Sequence, residues 1–190
     1  MKRRKAIGGI LALTGIGVTS YTAKEFFRIN SSIERGQLQR FTDVIAELAD
    51  VIIPTSDTPG AKEAKVQEYI IDYMESCASK KEYSNFLNGL AQLQENCLND
   101  YGIPFENCLE DQKVMIVEDL ANSGFSNSLL SKIDAKLRGR SFFSMLWSLT
   151  IEGYCTSKQG AMELLAYQPI PGSYKAITTI QADQKAWAIN

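Results

Sequence analysis

From Leu38 onward, apolar residues recur at steps of three and four with little interruption. A chain patterned this way buries its apolar surface by packing helices on one another. The first stripe, Phe41, Val44, Ile45, Leu48, Val51 and Ile52, predicts one helix. Pro54 ends it, because the residue before a proline is pushed out of helical geometry. A loop follows over residues 54–60, in which Thr58 is placed to cap the next helix with Pro59 at its first position. That helix has the cleanest stripe, Val66, Tyr69, Ile70, Tyr73, Met74 and Cys77, opposite a charged face that includes Lys62, Glu68 and Asp72. A third carries Tyr83, Phe86, Leu87, Leu90, Leu93 and Cys97 until Gly102, Ile103 and Pro104 break it.

The remainder keeps the same period. A shorter helix starts near Glu110, whose acidic first turn complements the helix dipole, and Gly124 closes it. Leu129, Leu130, Ile133 and Leu137 begin another. Residues 142–151 are apolar almost all round, which predicts a helix buried on most sides, with Gly153 as its stop. Thr156 and Gln159 fit a capping box for a final helix through Met162, Leu164 and Leu165. After Tyr167 there are two prolines and no stripe, and residues 176–180 are the sole short strand candidate. The expected fold is therefore all-α: a single-domain helical bundle with an N-terminal signal or anchor helix and an irregular C-terminal tail. Its 190 residues suit one domain with a sizeable core. With 45% hydrophobic and 22% charged residues, disorder over the bulk of the chain is excluded.

The first twenty residues read differently. Lys2, Arg3, Arg4 and Lys5 form a basic start, and the next charge is Lys24. The weakly hydrophobic, glycine-rich stretch between them has the anatomy of an export signal. Arg3-Arg4 points to the twin-arginine route for folded proteins, with an ordinary basic n-region as the alternative. The uncharged stretch reaches the lower end of what spans a bilayer, so cleavage and retention as an inner-membrane anchor both stay open. The expected organisation is a signal or anchor over residues 1–20, a linker over 21–37, a helical domain over 38–167 and a tail over 168–190. The expected location is the periplasm.

Composition excludes much chemistry. There is no histidine. That removes nucleophiles paired with histidine, di-iron sites built on Glu-x-x-His, and histidine-ligated haem. Setting aside the 4 basic residues of the signal leaves 16 against 22 acidic ones, an acidic body unsuited to sequence-independent nucleic-acid binding. No G-x-G-x-x-G follows a strand, so no dinucleotide or flavin fold is encoded. The cysteines, at 77, 97, 108 and 155, include no C-x-x-C pair and so no zinc ribbon, c-type haem or common iron–sulfur pattern. Cys97 and Cys108 straddle a helix–loop–helix junction and are the leading candidates for a disulfide, with buried free thiols as the alternative. Asp43 and Glu47, at i,i+4, could share a proton if buried, but the polar face of an amphipathic helix carries such pairs routinely. No residue qualifies as catalytic, cofactor-binding or metal-ligating. For Phe142, Phe143 and Trp147 helical spacing favours the core, whereas Trp187 and the proline-containing tail favour a partner. Trp147, Tyr154, Pro171, Tyr174 and Trp187 form the candidate partner interface.

Three stretches together resemble the gluconate 2-dehydrogenase subunit 3 family. The first runs from Leu48 through Pro54-Thr55 to Pro59-Gly60-Ala61, and the second is the apolar helix from Phe142 passing into Glu152-Gly153-Tyr154-Cys155-Thr156-Ser157. The third is Tyr167 followed by Ile170-Pro171-Gly172-Ser173-Tyr174. Cys155 departs from the pattern, where a second aromatic residue is more typical. The resemblance implies a small, non-catalytic accessory subunit beside a large flavoprotein of the glucose–methanol–choline (GMC) type. FAD is then expected in that partner, and haem c in a third, cytochrome c subunit of some complexes. The small subunit would support export, maturation or stability of the flavoprotein, which oxidises a sugar or sugar acid. The competing reading is a membrane-anchored helical binding module unrelated to oxidoreduction.

Overall fold

The computed structural model describes residues 35–124, 140–167, 170, 172–173, 177, 179–180 and 182–188. The described residues belong to one compact unit that begins at Arg35. The signal segment with Arg3 and Arg4, the expected helix over 129–137, and Pro171 and Tyr174 lie outside them.

The described part is all-α, with five α-helices: α1 (Thr42–Ile52), α2 (Val66–Ser76), α3 (Lys80–Tyr101), α4 (Glu110–Gly124) and α5 (Phe142–Thr156). Short 3-10 turns at Gln37–Phe41 and Phe105–Asn107 precede α1 and α4. The apolar α5 is the central element and packs against all four of the others. Phe143, Met145, Leu146 and Leu149 of α5 are buried among Ile45 and Leu48 of α1, Ile70 and Met74 of α2, and Phe86 and Leu90 of α3. Close approach is achieved where side chains are missing. A Cβ on Gly89 would fall 2.3 Å from the Phe142 ring, and one on Gly153 would fall 2.6 Å from the Tyr69 ring. Gly153 is therefore a contact point inside α5 and not its stop; the helix continues to Thr156.

The termini follow local chemistry. Ile53 leaves α1 just before Pro54, as the proline demands. Thr58 and Pro59, however, do not begin a helix. Residues 61–65 form turns, and α2 starts only at Val66, after Lys65 in a left-handed conformation. Ser79 and Glu82 close a full capping box on α3, and Gly102 ends that helix at φ 72°. The apolar stripe alone did not locate this Ser-x-x-Glu start. At the other end of the chain, Ser157 and not Thr156 receives the backbone N–H of Gly160, at 3.0 Å. The expected final helix is only a π-helical turn over Gly160–Leu164. Its tightness has a cause, since a Cβ on Gly160 would meet the Tyr154 carbonyl oxygen at 1.9 Å.

Two short strands follow, β1 (Ala166–Tyr167) and β2 (Trp187–Ala188), paired in parallel with Ala166 opposite Trp187 and Tyr167 opposite Ala188. The described residues of the 176–180 candidate are not in a strand, and Ile177 is 93% exposed. Among the described residues no helix is long and apolar enough to cross a membrane.

Candidate partner-docking surface

The loop between α1 and α2 is fixed from several sides. The Ile53 carbonyl accepts from Ala61 N–H at 2.9 Å, the Thr55 hydroxyl accepts from Gly60 N–H at 3.2 Å, and Ser56 N–H donates to the Thr58 carbonyl at 3.0 Å. Gly60 has no room for a side chain, since a Cβ would meet Thr55 Oγ1 and Asp50 Oδ1 at 2.7 and 2.8 Å. Tyr154 joins this loop from α5, its hydroxyl donating to the Pro59 carbonyl at 2.6 Å. At 1% exposure Tyr154 offers no surface to a partner. Its inclusion in the candidate interface is thus corrected: the tyrosine ties α5 to the loop because its ring fills the core and its hydroxyl needs an acceptor there.

Trp147 has the opposite fate. It is 40% exposed, with its ring 6.0 Å from that of the buried Phe143, and Ile151 one turn later is also exposed. Helical spacing therefore assigned Phe143 to the core correctly and Trp147 incorrectly. Central α5 is covered on most sides but leaves this edge open. The chain then passes through the π-helical turn, with exposed Met162 and Leu164, into β1 with Tyr167 and β2 with Trp187, which is 53% exposed. The tail is held to the bundle by Ala166 N–H donating to the Ala186 carbonyl at 2.8 Å and by the Lys185 ammonium donating to the Glu163 carbonyl. Trp147 and Trp187 thus stand on a run of consecutive, contacting elements rich in exposed apolar side chains. Large exposed aromatic residues of this kind are the usual anchors of protein–protein interfaces. Ile151 and Tyr167 were not among the candidate interface residues; the i,i+4 spacing of Ile151 from Trp147 was the available signal.

Charged groups do structural work. The Lys113 ammonium, on a residue 4% exposed, bonds Glu47 Oε2 at 2.6 Å and Glu110 Oε1 at 2.9 Å, while Lys62 bonds the other Glu47 oxygen. Burial alone would raise the Glu47 carboxyl, but the hydrogen bonds from Lys113 and Lys62 outweigh it and hold the group below its usual range. Burial would likewise lower Lys113, and its two carboxylate partners reverse that. Asp50 is pushed up by burial and then by the nearby Glu47 charge. Asp43 is exposed, so the burial on which proton sharing with Glu47 depends is missing. Glu47, the more buried carboxylate of this pair, is neutralised by the two lysines. Among the described residues no group of three or more Cys, Asp or Glu side chains could hold a metal ion.

The cysteines are thiols in this structure. Cys77 is exposed and Cys155 half-buried, whereas Cys97 and Cys108 are both buried and close enough for each to act on the other's thiol. The structure thus brings the expected pair together without a bridge between them.

With this geometry in view, comparison with known proteins points to a family. The sequence model of the family described as gluconate 2-dehydrogenase subunit 3 matches residues 40–172, most of the chain and nearly all of the bundle. No curated protein and no solved structure matches.

Proposed function

The chain belongs to the gluconate 2-dehydrogenase subunit 3 family, and from that membership we propose that it is a non-catalytic accessory subunit of a periplasmic, flavin-dependent sugar or sugar-acid dehydrogenase. The partner is a GMC-type flavoprotein that carries FAD, and a cytochrome c subunit takes the electrons onward where the complex has one. The small subunit accompanies the flavoprotein through export and stabilises it. The family match carries this reading. It is supported by the absence of histidine, by polar clusters that pair internally, and by the exposed Trp147, Ile151, Tyr167 and Trp187. A physical rationale links the parts: flavin is inserted where it is made, so a folded flavoprotein that lacks its own signal needs a signal-bearing companion. The basic start at Lys2 to Lys5, with Arg3-Arg4, is what a companion of that kind carries.

The test is a pull-down of the tagged chain from its native cells, with an absorbance spectrum of the eluate. A co-eluting large protein with flavin bands is the expected result and supplies the partner for substrate trials. A colourless chain eluting alone under gentle conditions overturns the proposal.

A further inference from the structure

The corner between α3 and α4 is held together by one side chain. Gln94 accepts from Phe105 N–H through Oε1 at 2.8 Å and donates to Glu106 Oε2 through Nε2 at 2.7 Å, which lays the 3-10 turn Phe105–Asn107 back over α3. Cys97 lies one turn beyond Gln94 on the same face of α3, and Cys108 leaves the turn that Gln94 holds. The turn closes with Cys108 N–H donating to the Phe105 carbonyl at 3.0 Å, and the Cys108 thiol leans towards the Pro104 carbonyl at 3.6 Å. The result is two buried, neighbouring thiols, joined through a loop of only ten intervening residues. Cys97 also lines a groove of about 260 Å3 between α3 and α4, beside Asn96, Asp100 and Ser123. Cys77 and Cys155 have no such arrangement.

We propose that Cys97 and Cys108 form a disulfide that locks the α3–α4 corner when the chain meets a disulfide-bearing oxidant. The reaction is thiol–disulfide exchange. The thiolate of one cysteine attacks a sulfur of the oxidant, forming a mixed disulfide and releasing the first oxidant thiolate. The thiolate of the other cysteine then attacks the protein-borne sulfur of that mixed disulfide, closing the protein bridge and releasing the second oxidant thiolate. Two protein thiols lose two electrons and two protons, and the oxidant disulfide becomes two thiols. Burial, and then the neighbouring Cys108, push the Cys97 thiol up to about 11. The exchange is consequently slow at neutral pH and accelerates as the pH rises. The geometry does not depend on the proposed function, and the bridge forms in the purified chain whether or not the chain is exported.

The full chain is equilibrated with oxidised glutathione, quenched in acid, unfolded and alkylated without reduction, and its peptides are mapped by mass spectrometry. The expected result is two alkylated cysteines, Cys77 and Cys155, with one linked peptide pair joining Cys97 to Cys108 and the intact mass lower by two hydrogens. The oxidised chain should melt higher than the reduced one by on the order of 5 °C, a gain that Cys108→Ala abolishes. Four alkylated cysteines after prolonged equilibration overturn the proposal, as does a link that uses Cys77 or Cys155. If Cys108→Ala folds poorly, Cys77→Ala with Cys155→Ala provides the complementary test, since that chain must still lose two hydrogens.

Discussion

Lys113 is the residue on which the electrostatics of the bundle turn. It is nearly inaccessible, and of its two partners Glu110 is largely exposed, so Glu47 supplies most of the compensation. Replacing Glu47 with Gln leaves a buried ammonium with one solvent-screened partner and should destabilise the fold by about 3 kcal/mol, read as a lower denaturant midpoint at unchanged slope. The same pair sets a pH dependence. Because the folded Glu47 carboxyl is held below its unfolded value of 4.5, its contribution is complete above that pH and is lost as the pH falls through the lowered folded value. The acid limb of the stability curve should therefore flatten in Glu47→Gln. Asp50, whose carboxyl is raised, acts in the opposite sense: its penalty sets in as the pH rises from 3.8 through the raised folded value. Gly153→Ala is a second test at this scale. Its new methyl meets the Tyr69 ring and Val66, and overpacking of this kind costs about 1–3 kcal/mol. The period itself places Lys113 one turn before the buried Val117, on the inner face of α4, but a lysine there reads as a break in the stripe until its partner is known. The partner that buries it lies 66 residues away.

Elements were more legible than residues. The stripes through Val44, Ile45 and Leu48, and through Ile70 and Met74, are buried as periodicity requires, and the all-round apolar α5 is the central helix. Boundaries failed where local signals met tertiary contacts. Thr58-Pro59 reads as a helix start, but the Pro59 carbonyl is taken by Tyr154 and the chain turns until Val66. Ser79, by contrast, caps α3 through both halves of its box, and Ser79→Ala should cost about 1 kcal/mol, a fall of roughly 2–4 °C in melting midpoint. On the proposed function, the exposed edge of α5 and the β1–β2 tail form one docking surface. Trp147→Ala and Trp187→Ala should each weaken capture of the flavoprotein by about 2 kcal/mol, roughly thirtyfold, with the far-ultraviolet circular dichroism unchanged. Removing the chain from Gln168 onward should weaken capture while sparing helicity; undiminished capture would place the tail outside the interface. The sequence suggested partner anchors through tryptophan and tyrosine, but the pattern alone could not separate exposed Trp147 from buried Tyr154, which stand on one helix.

At the scale of the molecule, the bundle keeps its polar groups paired, with Gln67 Oε1 and Thr150 Oγ1 the two unpartnered buried side-chain atoms found among the described residues. Its apolar excess is gathered at two places, the α3–α4 corner with Leu98, Ile103 and Leu109, and the run from Trp147 to Trp187. The order and spacing of the family stretches were more informative about this chain than any single reactive group. The beginning of the compact unit bears on how such a body withstands handling. Arg35 donates to the Glu75 and Ala78 carbonyls at the end of α2, Gly36 N–H donates to Glu75 Oε2 at 2.8 Å, and Tyr83 of α3 bonds the same carboxylate at 3.0 Å. A pull on the chain ahead of Arg35 is thus received by several bonds loaded together and shared between two helices. The body resists that tension as a knot resists its cord, instead of paying out one residue at a time.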